Sequence, residues 1–331
     1  MLVTGATGLV GSHAAALFRE RGWRIRALVR PGSRTRFLES LGAELVLGDV
    51  TAPDSFSGAA EGCRVVLHGA AHLGSRAPWE RFRRVNVEGT RHVLSECMRA
   101  GCDRFVHLSS VAVYGPPSVQ PRLPVDESSP TDTPLGRRDH YERSKRMAET
   151  AVRRGAGDVV EWAVLRPAVV MGERDRHFTP RVARVAERRV LPTVGPGDNR
   201  LPVVYAGNVA EACWLAATRP EAAGAVYNVA DDGGLTQREL LAAAAPPGAR
   251  IVPLPRGPVE WTARAAEWAS DLLPGDASRM LSVRRVWFLG HDNPFSSRRI
   301  RSELDWRPST PPLEGWSRAL EWQRHRASSD S

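Results

Sequence analysis

At 331 residues, with 42% apolar and 25% charged side chains, the chain has the composition of a soluble globular protein, long enough for one large α/β domain or two modest ones. No run approaches the ~18 consecutive apolar residues of a membrane span, and the N-terminus opens on an apolar strand with no secretory signal pattern, so neither stable membrane insertion nor secretion is expected. The net charge of +9 is spread along the whole chain, in doublets such as Arg153-Arg154, Arg188-Arg189 and Arg298-Arg299 that read as helix surfaces; no nucleic-acid footprint is expected, and attraction of an anionic cofactor is a sufficient use for the charge.

Met1-Leu2-Val3-Thr4 reads as a short strand that ends at Gly5, Ala14 to Gly22 as a helix, and Ile25 to Val29 as a second strand. Strand, glycine turn, helix and strand in about 30 residues make a βαβ unit. The rhythm repeats: strands over Glu44 to Leu47 and Val65 to Leu67, a helix over Val87 to Arg99, a strand over Phe105 to Leu108. A Pro- and Ser-rich loop, Pro116 to Pro134, precedes a helix over Tyr141 to Arg154 and a strand over Glu161 to Leu165.

This alternation predicts a Rossmann-type, doubly wound parallel sheet. Beyond Pro167 it becomes irregular. Helices are expected over Pro180 to Arg189, Asn208 to Thr218 and Val259 to Leu273, the last with Trp261 and Trp268 in the core, and a strand over Ala225 to Val229. The expected organisation is a dinucleotide-binding domain over 1–166, a smaller substrate-binding lobe over 167–326 with some segments returning to the first domain, and a frayed tail over 327–331. Cys63, Cys97, Cys102 and Cys213 are scattered, with no C-x-x-C pair and no histidine cluster at metal spacing. A reducing, cytoplasmic setting and no metal site are expected.

Thr4-Gly5-Ala6-Thr7-Gly8-Leu9-Val10-Gly11 carries glycines at G-x-x-G-x-x-G. The first permits a tight turn, the second lets backbone approach a pyrophosphate, and the third lets helix pack on strand, with phosphate at the helix N-terminus. The second strand ends in Val29-Arg30-Pro31-Gly32-Ser33-Arg34, without the acid that would take a ribose 2′-hydroxyl. Arg30 is the natural partner of a 2′-phosphate, with Ser33 or Arg34 assisting, so NADP(H) is expected, with NAD as the alternative. Asp49 has two readings: a contact to adenine, or a turn aspartate facing solvent.

Of the 46 basic residues only one, Lys145, is lysine, and it lies in Tyr141-Glu142-Arg143-Ser144-Lys145. In a chain that otherwise uses arginine for charge, this points to a site needing a slim ammonium rather than a planar fork. Tyr141 and Lys145, at i and i+4, share a helix face. An ammonium together with a positive nicotinamide ring favours the phenolate and draws a tyrosine from near 10 toward neutrality, fitting it for proton transfer. Ser109-Ser110 end a strand at the carboxyl edge, where a hydroxyl can hold and polarise a substrate oxygen.

Taken together, these motifs resemble the extended short-chain dehydrogenases/reductases, in the NAD-dependent epimerase/dehydratase and 3β-hydroxysteroid dehydrogenase/dihydroflavonol reductase branch. The likeness covers nearly the whole chain: the Thr4 to Gly11 loop, His68-Gly69-Ala70-Ala71, Asn86-Val87-Glu88-Gly89-Thr90, Leu108-Ser109-Ser110 through Tyr114-Gly115, Tyr141 to Lys145, Leu165-Arg166-Pro167 through Gly172, and Glu303-Leu304-Asp305-Trp306-Arg307-Pro308. It implies a catalytic triad of Ser110, Tyr141 and Lys145. The cofactor would meet Gly5, Thr7, Gly8, Leu9 and Val10, then Arg30, Asp49 and Val50, and Gly69, with Ala70, Ala71 and Pro167 on the nicotinamide side beside Tyr141 and Lys145. Asn86 has a cofactor role or only braces strands. A homodimer is expected from the family alone.

Departures narrow the chemistry. Sugar-nucleotide dehydratases of the family follow the catalytic hydroxyl with an Asp-Glu pair, where this chain has Val111-Ala112. Sugar-nucleotide epimerases usually place a diphosphate-binding arginine just before an aromatic strand; here Leu201-Pro202-Val203-Val204-Tyr205 is apolar, with Arg200 one residue away. That run is either an apolar pocket or strand core, and His177, Phe178 and Arg181 belong to a substrate site or a surface helix. The expectation is NADP(H)-dependent interconversion of a ketone and a secondary alcohol on a mostly apolar small molecule. The alternatives are a nucleoside-diphosphate-sugar 4-epimerase with tightly held NAD, and a non-catalytic dinucleotide sensor.

Overall fold

Every residue of the first strand is buried, and strands and helices alternate from there. In a computed structural model describing residues 1–73, 77–116, 119–231, 233–272 and 283–329, β1 (Leu2–Thr4) leads through the glycine loop to α1 (Leu9–Glu20), β2 (Arg26–Val29), α2 (Arg36–Ser40), β3 (Glu44–Leu47) and β4 (Val65–His68). Next, α3 (Trp79–Phe82) and a π-helical turn over Arg83–Glu88 run into α4 (Gly89–Arg99), β5 (Arg104–Leu108), α5 (His140–Ala156) and β6 (Glu161–Pro167). Then come β7 (Val169–Met171), α6 (Phe178–Ala186), β8 (Val190–Val194), β9 (Arg200–Leu201), β10 (Val203–Tyr205), α7 (Ala206–Thr218) and β11 (Ala225–Val229). The chain ends with β12 (Leu235–Thr236), α8 (Gln237–Ala244), β13 (Arg250–Leu254), α9 (Arg256–Leu272), α10 (Val283–Gly290), α11 (Arg298–Leu304) and α12 (Pro312–Ser329).

Seven strands form one parallel sheet in the order β11-β6-β5-β4-β1-β2-β3. The order reverses between β1 and β4, where Val3 registers with Leu67 and Thr4 with His68, and ligands of such sheets sit outside the carboxyl ends at that reversal. With helices on both faces, central strands need apolar residues on both sides, and β4 and β5 are buried at every position. Leu2, Val66, Phe105 and Val164 pack against Val93 and Leu94 of α4 and Val152 of α5, each large side chain worth about 1.5–3 kcal/mol once buried. Elsewhere in this unit α1 packs on α7, with the rings of Phe18, Trp23 and Trp214 edge-to-face at 5.0–5.8 Å.

The chain divides into two units. The first, Met1–Val170, Ala206–Ala230 and Phe295–Thr310, holds the parallel sheet with α7 and α11. The second, Met171–Tyr205, Asp231–Pro294 and Pro311–Ser331, is built on short pairs: β8 with β13 in parallel and β9 with β12 antiparallel. In it the fully buried Trp316 meets Phe178 at 6.1 Å and donates from Nε1 to Leu240 O at 2.9 Å.

Two expectations are corrected here. Trp261 is no core residue: it is 71% exposed, because α9 turns Val259 and Ala263, one helical turn apart, toward Val194 and Val286. The Trp268 side chain lies outside the described residues. The tail is shorter than expected, since α12 continues to Ser329, with 330 and 331 outside the described residues. All four cysteines are buried and free. Among the described residues no helix is long and apolar enough to cross a membrane, and no group of three His, Cys, Asp or Glu stands at metal-binding spacing.

Candidate active site

The glycine loop is compressed between backbone segments. At Gly5 (φ +70°) an added Cβ would lie 2.5 Å from Gly69 C, and at Gly11 it would lie 2.3 Å from Gly5 O, so neither position accepts a side chain. Ala6 is buried, whereas Thr7, Gly8, Leu9 and Val10 keep open faces. Helix α1 starts without a side-chain cap and without an acid in its first turn, leaving its first N–H groups for an anion. These residues fit the pyrophosphate of a dinucleotide.

The other expected cofactor residues lie at the carboxyl ends of the same strands. Arg30, at the end of β2, is exposed; its carbonyl accepts from Ser33 N at 3.1 Å, and its guanidinium makes no hydrogen bond or ion pair among the described residues. Asp49 follows β3 beside it, Gly48 N donating to Val29 O at 3.0 Å. The Asp49 carboxylate already accepts from Thr51 N and Thr51 Oγ1 through Oδ1, both at 2.8 Å, so it has a turn to hold whatever else it meets. Val50 is buried against Gly89, while Ala70 and Ala71 after β4 are half-buried and Pro167 ends β6 opposite Val229.

A polar network that sequence reasoning missed sets the β1–β4 edge. Thr4 Oγ1 lies 2.8 Å from His68 Nδ1 and accepts from Ala70 N at 3.2 Å, while Thr90 Oγ1 lies 3.0 Å from His68 Nε2. The Thr90 hydroxyl donates to Asn86 O at 2.6 Å, so His68 Nε2 must be the donor and Nδ1 the acceptor, a neutral ring. Burial, with Lys145 adding to it, pushes His68 down to about 3. His107 on β5 stacks on His68 at 5.5 Å, and neither of its ring nitrogens has a partner among the described residues; burial again drives it well below the ordinary value. Asn86 braces the edge: its Oδ1 accepts from His72 N at 2.6 Å and its Nδ2 donates to Ser144 Oγ at 2.8 Å. The H-x-A-A and N-V-E-G-T spacings marked His68, Ala70, Asn86 and Thr90, but not their connection, and nothing marked His107.

Ser110, Tyr141 and Lys145 come together at the end of β5. Ser110 caps the short 3₁₀ turn Val111–Tyr114, its Oγ accepting from Ala112 N at 3.2 Å. The Ser110 hydroxyl lies near enough to the Tyr141 phenol to favour its ionised form. Lys145, one turn along α5, is buried and donates from Nζ to Leu108 O at 2.7 Å. Burial pulls its ammonium down to about 8 against the opposing charge of Glu149. The phenol differs from expectation: burial pushes Tyr141 up to about 12, with the Ser110 hydroxyl pulling the other way and Glu142 adding to the rise. The Lys145 ammonium is directed to Leu108 O. The residue before Tyr141 in sequence, His140, has its ring 5.9 Å from Trp79 and 5.8 Å from the buried Phe82, a packing of α5 on α3 that had no sequence signal.

Not all candidates fall at this edge. Leu201, Val203, Val204 and Tyr205 are all buried within the second unit, with Tyr205 bonded to Glu173 at 2.8 Å, so this run is strand core. Phe178 and Arg181 lie on α6, and His177 sits just before it, its N–H held at 2.8 Å by Asp175, whose carboxylate caps the helix.

Known proteins bear on this geometry. The model of the NAD dependent epimerase/dehydratase family matches residues 1–230. The chain is 32% identical over 241 residues to a 4-hydroxy-2-methyl-3-oxo-4-farnesyl-3,4-dihydroquinoline-1-oxide ketoreductase of Stigmatella aurantiaca, covering 72% of this chain and 70% of the relative. It is 31% identical over 249 residues to a 2-alkyl-3-oxoalkanoate reductase of Stenotrophomonas maltophilia, covering 73% of each. Among solved structures, a short-chain dehydrogenase/reductase superfamily protein of Agrobacterium tumefaciens with bound NAD superposes with a TM-score of 0.72 at 25% identity, over 99% of this chain and 98% of the other.

Proposed function

We propose, for a chain that belongs to the NAD dependent epimerase/dehydratase family and is an NAD(P)-dependent oxidoreductase of the extended short-chain type, that it interconverts a ketone and a secondary alcohol on a mostly apolar small molecule. The observation that carries this reading is the convergence of Ser110, Tyr141 and Lys145 at the end of β5, where Lys145, one helical turn from Tyr141, donates to Leu108 O. A nicotinamide cofactor held by the loop of Gly5, Thr7, Gly8, Leu9 and Val10, with Ala70, Ala71 and Pro167 about its ring, would supply or accept the hydride. Ser110 holds and polarises the substrate oxygen. Tyr141 delivers the proton to that oxygen in reduction and removes it in oxidation. Lys145 holds the ribose, and its charge near the reacting oxygen favours the phenolate that proton delivery leaves behind.

Arg30, exposed and with no partner for its guanidinium among the described residues, favours NADP(H) by pairing with a 2′-phosphate. The apolar substrate class is supported by the two relatives, whose names specify ketone reduction on farnesyl- and alkyl-bearing molecules. It takes no support from Leu201 to Tyr205. Substrate binding is assigned to the second unit, a homodimer is carried over from the family, and the four buried free thiols suit a reducing cytoplasm.

The test is made on the protein as purified: denature it, identify any released dinucleotide, and titrate the emptied protein with NADPH and NADH. A site that prefers NADPH severalfold, together with NADPH oxidation on 2-alkyl-3-oxo esters, is the expected result. Stoichiometric, tightly held NAD would instead put the 4-epimerase alternative ahead.

A further inference from the structure

We infer that Glu149 is a positioning residue that steadies both the Lys145 ammonium and the Ser109-Ser110 end of β5 through one buried carboxylate. The inference rests on the reading of Ser110, Tyr141 and Lys145 given above.

Tyr141, Lys145 and Glu149 follow one another at i, i+4 and i+8 along α5, hence on one face. Glu149 is 4% exposed and its oxygens are fully engaged. Oε1 accepts from Ser109 Oγ at 2.6 Å and from Arg166 Nε at 2.9 Å, and Oε2 accepts from Arg166 Nη2 at 2.6 Å and pairs with Arg153 Nη2, one turn along α5, at 3.6 Å. Arg166 on β6 is itself buried. Its Nη1 donates to Tyr114 Oη at 2.8 Å, and that hydroxyl donates to Asn228 Oδ1 at 2.8 Å. The carboxylate is therefore locked in one geometry from β5, β6 and its own helix.

A buried ion pair is weak evidence for a stability role, because apolar residues of similar volume would fill the space at no loss. What an apolar pair cannot do is act on Lys145. The groups facing that ammonium are Tyr141 on α5, His68 on β4, His107 on β5 and, behind Glu149, Arg166 on β6. Both imidazoles are neutral, so Glu149 is the anion that opposes desolvation of the lysine among the described residues. Its bond to Ser109 reaches the residue next to Ser110. One carboxylate thus acts on Lys145 through its charge, one turn along α5, and on the Ser109-Ser110 segment through its bond to Ser109.

Because Lys145 is the only lysine, protein labelled with ¹³Cε-lysine gives a single side-chain signal whose pH titration reports this group directly. In Glu149→Gln the midpoint should fall by about one pH unit, and in Glu149→Asp it should stay within about half a unit of wild type. Where Glu149→Gln alone does not fold, the double variant Glu149→Gln/Arg166→Met removes both charges, and its Lys145 midpoint should also fall. A midpoint unchanged in a folded variant, with only thermal stability lost, would overturn the inference. Absence of NADPH- or NADH-linked turnover in wild type would count against the reductase reading instead, and would leave the lysine titration as it stands.

Discussion

Lys145 donates its ammonium to the carbonyl of Leu108 at 2.7 Å, which ties the middle of α5 to the last residue of β5. The bond explains why a slim side chain is wanted there. The ammonium is buried, within electrostatic reach of the buried His68 and His107, and ends on a backbone oxygen. A guanidinium carries its donors on a wide plane that this path does not accommodate.

Lys145→Arg, conservative in charge, should therefore cut kcat by on the order of 10²-fold or more, the range of a lost acid/base partner, and should lower the melting temperature. Steady-state kinetics with thermal unfolding check this. Wild-type rates in the arginine variant would show that the choice of lysine carries no chemical meaning.

The buried histidines predict sensitivity to acid. An unfolded imidazole takes up a proton near pH 6.5, whereas His68 in the fold resists until about 3, so its contribution is complete above 6.5 and is lost as pH falls through that window. At pH 5 His68 alone should cost about 2 kcal/mol relative to neutral pH. Urea midpoints between pH 4 and 8 should fall accordingly. The fall should be shallower in His107→Phe, which replaces a ring whose nitrogens lack partners with an apolar one.

Arg30→Ala should weaken NADPH binding by roughly 10–100-fold, the worth of a charge-assisted bond to phosphate, and leave NADH binding alone. Because Arg30 is exposed, stability should not change. Fluorescence titration of both cofactors decides it; parallel losses for the two would place the 2′-phosphate elsewhere.

Sequence made the first unit legible because its signals are local. A strand, a glycine loop and a helix in one short stretch have few alternatives, and Tyr141 and Lys145 share a face through helix geometry alone. The second unit was less legible. β8 and β13 pair over a long separation, and each carries a proline that blurs the alternation of a strand. The apolar run Leu201 to Tyr205 suited core and pocket equally until its burial was known. Trp261 was misread because one large apolar residue does not define a helix face; the pair Val259 and Ala263 does. The links Thr4–His68–Thr90 and Glu149–Arg166 join different strands and helices, so the motifs named Thr4, His68, Thr90 and Arg166 without joining them and left Glu149 unmarked.

The central claim is that Tyr141 moves the proton while the rest of the site only binds and orients. Its most direct test is Tyr141→Phe, assayed for NADPH oxidation on a 2-alkyl-3-oxo ester and titrated in parallel with NADPH. Turnover should fall by roughly 10²–10⁴-fold with cofactor affinity nearly unchanged. Turnover retained at the wild-type level would contradict the account.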